Sequence, residues 1–405
     1  MKKISIYTLT SKLHDEQAVA IATQEFLSSL VIGYELKGAD FSDYGSSPLS
    51  VIYVRTGGTE GLFKSLLPQL QARSSHPIYL LASDKSNSLA ASMEILSYLR
   101  QQGLRGEIIH GFPTRINLRL VALQQVEIAR RCLRGQRLGV IGQPSDWLIS
   151  SHADAQVIRE KLGVELVDID IQEVLEEFNS ISQNDSTLEI TPSRTPSAQV
   201  ASALPDAMRL YHALRKVIER HNLAGFTIRC FDLLTAIHNT GCLALAKLNA
   251  EGVVAGCEGD VPAALSMLIC QALLDITGFQ ANPSSIEPGM GMITLAHCTI
   301  PLNIVSSYEL DTHYESGIGV GICGKIIEGD ATIFKVSGDL SRYFIAEGTM
   351  AVNKHNPSLC RTQVKIWLDN PDPIRDYFLS APIGNHHIVL PGYHQSLLEE
   401  FMHSM

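Results

Sequence analysis

Short β-rich runs alternate with helical patterns through the first third of the chain, and this rhythm constrains the fold more than any other feature. ISIYTL (4–9) is followed by a helical pattern from Asp15, SVIYVR (50–55) by one from Glu60, PIYLLA (77–82) by one from Asn87, and GEIIHG (106–111) closes the series. Strands separated by helices must run parallel, because the crossover carries the chain back to the same edge, so a parallel sheet with helices on its faces is expected. A connecting helix through LRLVALQQVEIARRCL (118–133) leads to a restart: QRLGVIG (136–142), a helix in SHADAQVIREKLG (151–163) and VELVDIDI (164–171). SISQNDSTLEITPSRTPSAQ (180–199) is polar, carries two prolines and reads as a long loop. Leu204, Met208, Tyr211, Leu214 and Ile218 then recur at helical spacing, and FTIRCFDLL (226–234) and EGVVAG (251–256) read as further strands.

From about residue 286 the helices thin out. MITLAHCTI, ATIFKVSG, RYFIAEGTMAV, TQVKIWL and NHHIVLPG are strand-like runs separated by Gly, Asn and Pro turns, the pattern of an antiparallel sheet or barrel, and HQSLLEEFMH reads as a last helix. The expected fold is therefore α/β: two Rossmann-like parallel α/β domains, 1–135 and 136–285, followed by a β-rich, barrel-like domain over 286–405.

Hydrophobic residues make up 45% of the 405 and charged residues 18%, a composition suited to a compact enzyme with large subunit contacts. The formal net charge is −10 and no stretch is dense in Lys and Arg, which argues against nucleic acid as a partner. MKKISIYTLT lacks the continuous apolar segment of a signal peptide, and no run reaches the ~18 to 20 apolar residues of a membrane helix, so a cytoplasmic protein with no membrane partner is expected. Eight cysteines without a CxxC pair read as small buried hydrophobes.

Two glycine turns, in YVRTGGTEGLF (53–63) and LGVIGQPSDWL (138–148), match neither GxGxxG nor a Walker loop and read as structural. GCEGDVPAAL (256–265) is more informative. Asp260 before Val261-Pro262 suits a helix N-cap. Capping does not explain Glu258, a carboxylate at the end of an apolar strand that needs a partner. Ligands occupy the crevice at the carboxyl ends of parallel strands, and a metal is the natural partner there. His297 inside the apolar run ITLAHCTIPL, His313 in DTHYESG, and His386 and His387 in GNHHIVLPG are candidate co-ligands, and mixed carboxylate–imidazole shells suit Mn²⁺, Mg²⁺, Fe²⁺ or Zn²⁺.

These segments resemble the L-fucose/L-arabinose isomerase superfamily. EGD (258–260) is similar to the segment that carries a metal-binding, catalytic glutamate there, LAHCTIP (295–301) to one that supplies a histidine ligand, and GNHHI (384–388) to the one that supplies the last ligand. The stretch 230–273, THYESGIGVGICGKI (312–326) and LCRTQV (359–364) resemble in particular the shorter fucose-isomerase-like proteins. The resemblance is specific over about 225–395. It implies a divalent metal, typically Mn²⁺, and trimers or hexamers with active sites at subunit boundaries. It makes Glu258 a ligand and acid/base group, His297 a ligand, and His386 or His387 the late ligand. Where these isomerases have a second carboxylate, GFQANPSS places Asn282, or Ala281; an asparagine can ligate a metal but cannot take a proton at neutral pH.

The implied reaction is aldose–ketose isomerisation of an open-chain pentose or 6-deoxyhexose through an enediol, with Glu258 as base and Asp260, Glu315 or a metal-bound water as the second proton carrier. His313, Glu315 and Arg361 are the candidate substrate-binding residues, Arg361 toward a hydroxyl or carboxylate at the far end. The alternatives are epimerase or lyase chemistry on a sugar acid or sugar phosphate, and a non-catalytic sugar-binding protein.

Overall fold

A computed structural model describes residues 3–74, 76–182, 190–351, 355–372 and 374–405. Residues 183–189 of the expected loop at 180–199, and Val352 at the end of the expected strand RYFIAEGTMAV, lie outside the described residues. Contacts divide the chain into two compact units, Met1–Ile128 with Ser404 and Ala129–His403 with Met405.

The first unit is built on a five-stranded parallel sheet of β1 (Ile4–Leu9), β2 (Tyr34–Gly38), β3 (Ser50–Val54), β4 (Ile78–Ala82) and β5 (Gly106–Ile109), in the order β2-β1-β3-β4-β5. Every residue of β1 and β4 is buried, as strands covered by helices on both faces must be. One core lies between β1, β3, β4 and the helix Pro113–Leu133, through Ile116, Leu120 and Leu123. A second lies on the opposite face, where Phe63, Leu67 and Leu70 of the helix Glu60–Arg73 meet Ile95 and Leu99 of the helix Ser88–Gln101. The Gly57-Gly58 pair forms the turn into the helix Glu60–Arg73, with Gly58 at φ +75° where a side chain would be strained.

The second unit begins with β6 (Arg137–Ile141), β7 (Glu165–Ile169), β8 (Gly225–Ile228) and β9 (Val254–Cys257), all parallel in the order β7-β6-β8-β9. This repeats the strand order of the first sheet, one strand short. The strands β10 (Phe279–Glu287), β11 (Met292–His297), β14 (Gly329–Val336), β15 (Tyr343–Ala351), β16 (Thr362–Leu368) and β17 (His387–Pro391) close an antiparallel barrel in the order β10-β11-β16-β15-β14-β17. Between β11 and β14, the strands β12 (Val305–Asp311) and β13 (Gly321–Ile326) pair as an antiparallel ribbon.

The helix Val261–Leu274 joins sheet and barrel. Asp260 caps it by accepting a hydrogen bond from the Ala263 amide (2.8 Å), Pro262 sits in its first turn where no amide is needed, and Asp275 ends it in a left-handed conformation. Its residues from Val261 to Cys270 are all buried, so it is covered on every side, by β8 and β9 and by β14 and β17. One apolar core runs from Ile141 and Phe226 through Leu245 to Ile333 and Val389.

Candidate metal centre

The centre starts from the turn after β9. Glu258 has φ +65° and Gly259 φ +71°, two consecutive left-handed residues that swing the chain off the strand before the helix begins. For a non-glycine residue this costs about 1–2 kcal/mol, and such strain collects at functional sites. The surroundings over-determine it: the Glu258 carbonyl accepts from the Ser145 amide (2.9 Å), and the Gly259 amide donates to the Ile228 carbonyl (2.9 Å). Gly259 must be glycine, since a Cβ there would lie 2.7 Å from Pro144 Cα and 2.8 Å from the Gln143 carbonyl oxygen. Gln280 of β10 ties the end of β9 to the barrel, its Oε1 accepting from the Cys257 amide (2.8 Å) and its Nε2 donating to the Cys257 carbonyl (3.3 Å).

The barrel brings the histidines. β10 lies between β11 and β17, with Asn282 opposite Ala296 and Ala281 opposite His387. His297 ends β11 and His386 precedes β17, so both reach the same end of the barrel, on either side of Asn282. His297 Nε2 and His386 Nε2 each lie 3.5 Å from Glu258 Oε1, and the two rings are 5.5 Å apart. Glu258, His297 and His386 are buried, and their ligand atoms all lie within 4.8 Å of one another.

Each histidine is held by its other nitrogen. His386 Nδ1 is 2.8 Å from Asp260 Oδ2, and His297 Nδ1 is 3.1 Å from Thr299 Oγ1. The Asp260 contact directs His386 Nε2 inward, the arrangement that metal-binding histidines use. His386 Nε2 is buried and makes no hydrogen bond. A buried nitrogen without a hydrogen bond costs about 1–3 kcal/mol; a cation held by it, His297 Nε2 and Glu258 Oε1 would remove that cost. Two imidazoles and a carboxylate fit a divalent ion of hard-to-borderline character.

The charges are arranged in a chain. Asp260 Oδ1 accepts from Ala263 and lies 3.6 Å from Nζ of Lys335, a lysine of β14 that is 1% exposed. Burial pushes the Asp260 carboxyl up, but the Lys335 charge and the His386 contact outweigh it and hold the group at about 2. Burial pushes the Lys335 ammonium down, with Asp260 opposing. Burial likewise pushes Glu258 up, and the two histidines outweigh it, leaving the carboxyl well below the usual range. The other oxygen of Glu258, Oε2, accepts a 2.6 Å hydrogen bond from Trp147 Nε1.

Glu258, Asn282, His297, His313 and Glu315 line one narrow cavity of about 30 Å³, together with Phe231, Thr240 and five cysteines, Cys230, Cys242, Cys257, Cys298 and Cys360. Trp147, Phe231 and His313 form an edge-to-face series, with ring separations of 4.8 and 5.7 Å, of which Phe231 and His313 line the cavity. Burial, and then the His297 charge, push His313 down to about 4. Asn282 Oδ1 accepts from Asn385 Nδ2 (3.1 Å). His387 faces elsewhere: its Nε2 is 2.8 Å from the Tyr377 hydroxyl and its Nδ1 3.0 Å from the Asn385 carbonyl. Arg361 donates to the Thr312 carbonyl (2.7 Å) and hydroxyl (3.1 Å), and lines a separate polar cavity with Lys325, His355 and Asp311.

Trp147, Gln280 and Lys335 complete the surroundings without having stood out in the sequence. Lys335 had a signal, a lysine in phase with Ile333 and beside Phe334 and Val336 in the strand GDATIFKV. Trp147 had none beyond its place after the β6 turn.

Residues 154–274 match the family model of the L-arabinose isomerase central domain, a span that includes Glu258 and Asp260. Among curated relatives, a sulfoquinovose isomerase of Priestia aryabhattai is 23% identical over 270 residues, covering 62% of this chain and 59% of that protein. One of Clostridium sp. (strain MSTE9) is 27% identical over 180 residues, 41% of this chain and 38% of that one. A third, from Alkalicoccus urumqiensis, is 24% identical over 196 residues, 46% and 44% of the two chains. The matched region thus spans at most about three fifths of these relatives' length.

Proposed function

The chain belongs to the L-fucose/L-arabinose isomerase superfamily, and on that premise we propose that it is a metal-dependent aldose–ketose isomerase acting on an open-chain sugar. The observation that carries the reading is the buried Glu258–His297–His386 triad, in which His386 Nε2 makes no hydrogen bond. Those three residues would hold a divalent cation, Mn²⁺ by the family resemblance, with Asn282 beside them as a neutral oxygen donor. When bound, the cation supplies charge stabilisation for the enediolate and orients the two sugar oxygens.

The remaining work falls to the chain's own side chains. The two oxygens of Glu258 are in different surroundings: Oε1 faces the histidines, while Oε2 faces Trp147 and takes the proton from the sugar carbon. The Trp147 hydrogen bond fixes the carboxylate plane, and positional control of this kind is worth several kcal/mol of barrier. Asp260 is fully engaged by Ala263, His386 and Lys335, which leaves Glu315 as the second carboxylate on the cavity and the proton carrier to the neighbouring carbon. Phe231 and His313 give the sugar an apolar wall. Arg361 faces a neighbouring cavity and would meet only the far end of an extended substrate. The names of the relatives favour an aldose with an anionic tail among the substrates to test.

Asn282 in place of a carboxylate keeps a second reading in play, an epimerase or lyase that uses the same enolate. Trp147, half-exposed while hydrogen-bonded to Glu258, supports assembly into an oligomer that covers this side of the centre. The test is incubation with Mn²⁺ and a panel of pentoses, 6-deoxyhexoses and sulfonated aldoses in D₂O, followed by NMR. Ketose formation with solvent deuterium at C2 on the return to aldose is expected, and its loss in Glu258→Gln. A change of configuration or C–C cleavage without ketose would replace the isomerase by the second reading.

A further inference from the structure

Five of the eight cysteines line the cavity of the proposed metal centre, and the mechanism uses none of them. Two belong to adjacent parallel strands. Cys257 ends β9, where it is registered against Ile228 of β8, and Cys230 sits two residues beyond that strand in a tight turn closed by its own amide on the Ile228 carbonyl (2.8 Å). The turn points the two side chains at each other, with Sγ atoms 3.1 Å apart. Both are buried, 8% and 3% exposed, and both reach the cavity.

We propose that Cys230 and Cys257 are a peroxide-oxidisable dithiol, a modification site whose disulfide displaces Glu258. The cavity admits water-sized molecules, and hydrogen peroxide is little larger. Sulfur of Cys230 attacks one peroxide oxygen, the O–O bond breaks, and the other oxygen leaves as water, giving a sulfenic acid. Sulfur of Cys257 attacks that sulfur, the S–O bond breaks, and a second water leaves. In sum, two thiols lose two protons and two electrons to one peroxide, which becomes two waters.

The consequence for the centre follows from distance. A disulfide sets its sulfurs at about 2.05 Å, so the pair must close by about 1 Å. The neighbouring residues have little room to absorb that movement. Cys257 is bonded through its backbone to Gln280 at both amide and carbonyl, and the next residue is Glu258, held in a left-handed turn against Ser145. Whatever part of that movement reaches Glu258 shifts its carboxylate, and a full ~1 Å there would cost on the order of 10²-fold in rate. This consequence rests on the proposed metal centre, whereas the disulfide itself does not.

The test is thiol mapping of the reduced, full chain after treatment with one equivalent of hydrogen peroxide, alkylation, double digestion with trypsin and a glutamate-specific protease, and mass spectrometry. A fragment joining Cys230 to Cys257, released by dithiothreitol and lost in Cys230→Ser, is the expected result. Quantitative alkylation of Cys257, or its pairing with another cysteine, would overturn the assignment. Mn²⁺ binding followed by electron paramagnetic resonance separates the two layers. The cross-linked protein is expected to bind at least tenfold more weakly and to recover with dithiothreitol. Unchanged binding in cross-linked protein refutes the displacement of Glu258. A reduced chain that binds no Mn²⁺ refutes the metal centre and leaves the disulfide standing on the mapping alone.

Discussion

Asp260→Asn separates two roles that one side chain performs. Asp260 caps the helix Val261–Leu274 through Ala263, and it orients His386 while balancing the buried Lys335. Asparagine caps a helix about as well as aspartate, so the capping contribution is kept and only the charge is removed. The Lys335 ammonium, 1% exposed, then has no counter-charge at 3.6 Å. Breaking a buried ion pair on one side costs about 3–5 kcal/mol, and this should appear as a lowered urea midpoint with an unchanged m value. Loss of the carboxylate behind a ligating histidine costs about 10–100-fold in metal affinity, read by calorimetric titration with Mn²⁺. The double variant Asp260→Asn/Lys335→Met removes both charges and should regain most of the stability while the affinity stays low. If Asp260→Asn unfolds within ~1 kcal/mol of the parent and binds Mn²⁺ within about twofold, the charge chain has no energetic role and the reasoning fails.

Gly259→Ala forces a Cβ to within 2.7 Å of Pro144 Cα at φ +71°; a loss of about 2–4 kcal/mol in chemical denaturation is expected, and a change below ~0.5 kcal/mol would mean that the turn relaxes freely. Trp147→Phe keeps the edge contact with Phe231 but removes the 2.6 Å hydrogen bond to Glu258 Oε2; kcat should fall about 10-fold or more with KM little changed, and an effect confined to KM would assign the tryptophan to binding alone. In the first unit, Tyr7 donates to Asp43 (2.8 Å), and burial together with that carboxylate raises its hydroxyl to about 12. The folded chain therefore keeps a proton that the unfolded chain loses above about pH 10, so stability falls as pH rises from about 10 to 12, by up to roughly 3 kcal/mol from this residue. Tyr7→Phe should flatten that part of the urea-midpoint profile; an identical slope in the variant would contradict the assignment.

The fold was legible where burial imposes a simple pattern. ISIYTL and PIYLLA are β1 and β4, buried throughout, and Asp15 and Asp260 cap the helices expected to start there. The expected strand FTIRCFDLL ends at Ile228, because Arg229 turns to pair with Asp146 and Asp232 and the Cys230 amide closes a tight turn. β2 escaped notice because YELKG is a half-exposed edge without alternation. The helix Ile171–Ser180 starts straight after the apolar run of β7, and Asp170, its cap, reads as part of that run.

At the centre, Glu258 announced itself as a charge at an apolar strand end, and the resemblance narrowed four candidate histidines to His297 and one of His386 and His387. Which of His386 and His387 faces inward was not legible, since both follow a turn; the register of β17 with β10 turns His387 toward Tyr377. Trp147 reaches Glu258 from 111 residues away. A contact across that distance depends on how the loop after β6 folds over the end of β9, which local patterning does not encode.

The most direct measurement is calorimetric titration of Mn²⁺ into metal-stripped protein, for the parent and for Glu258→Gln, His297→Gln and His386→Gln. The account predicts one strong site per chain in the parent, weakened at least 100-fold by each substitution in protein that remains folded by circular dichroism. No strong site in the parent, or one that survives all three substitutions, would contradict it.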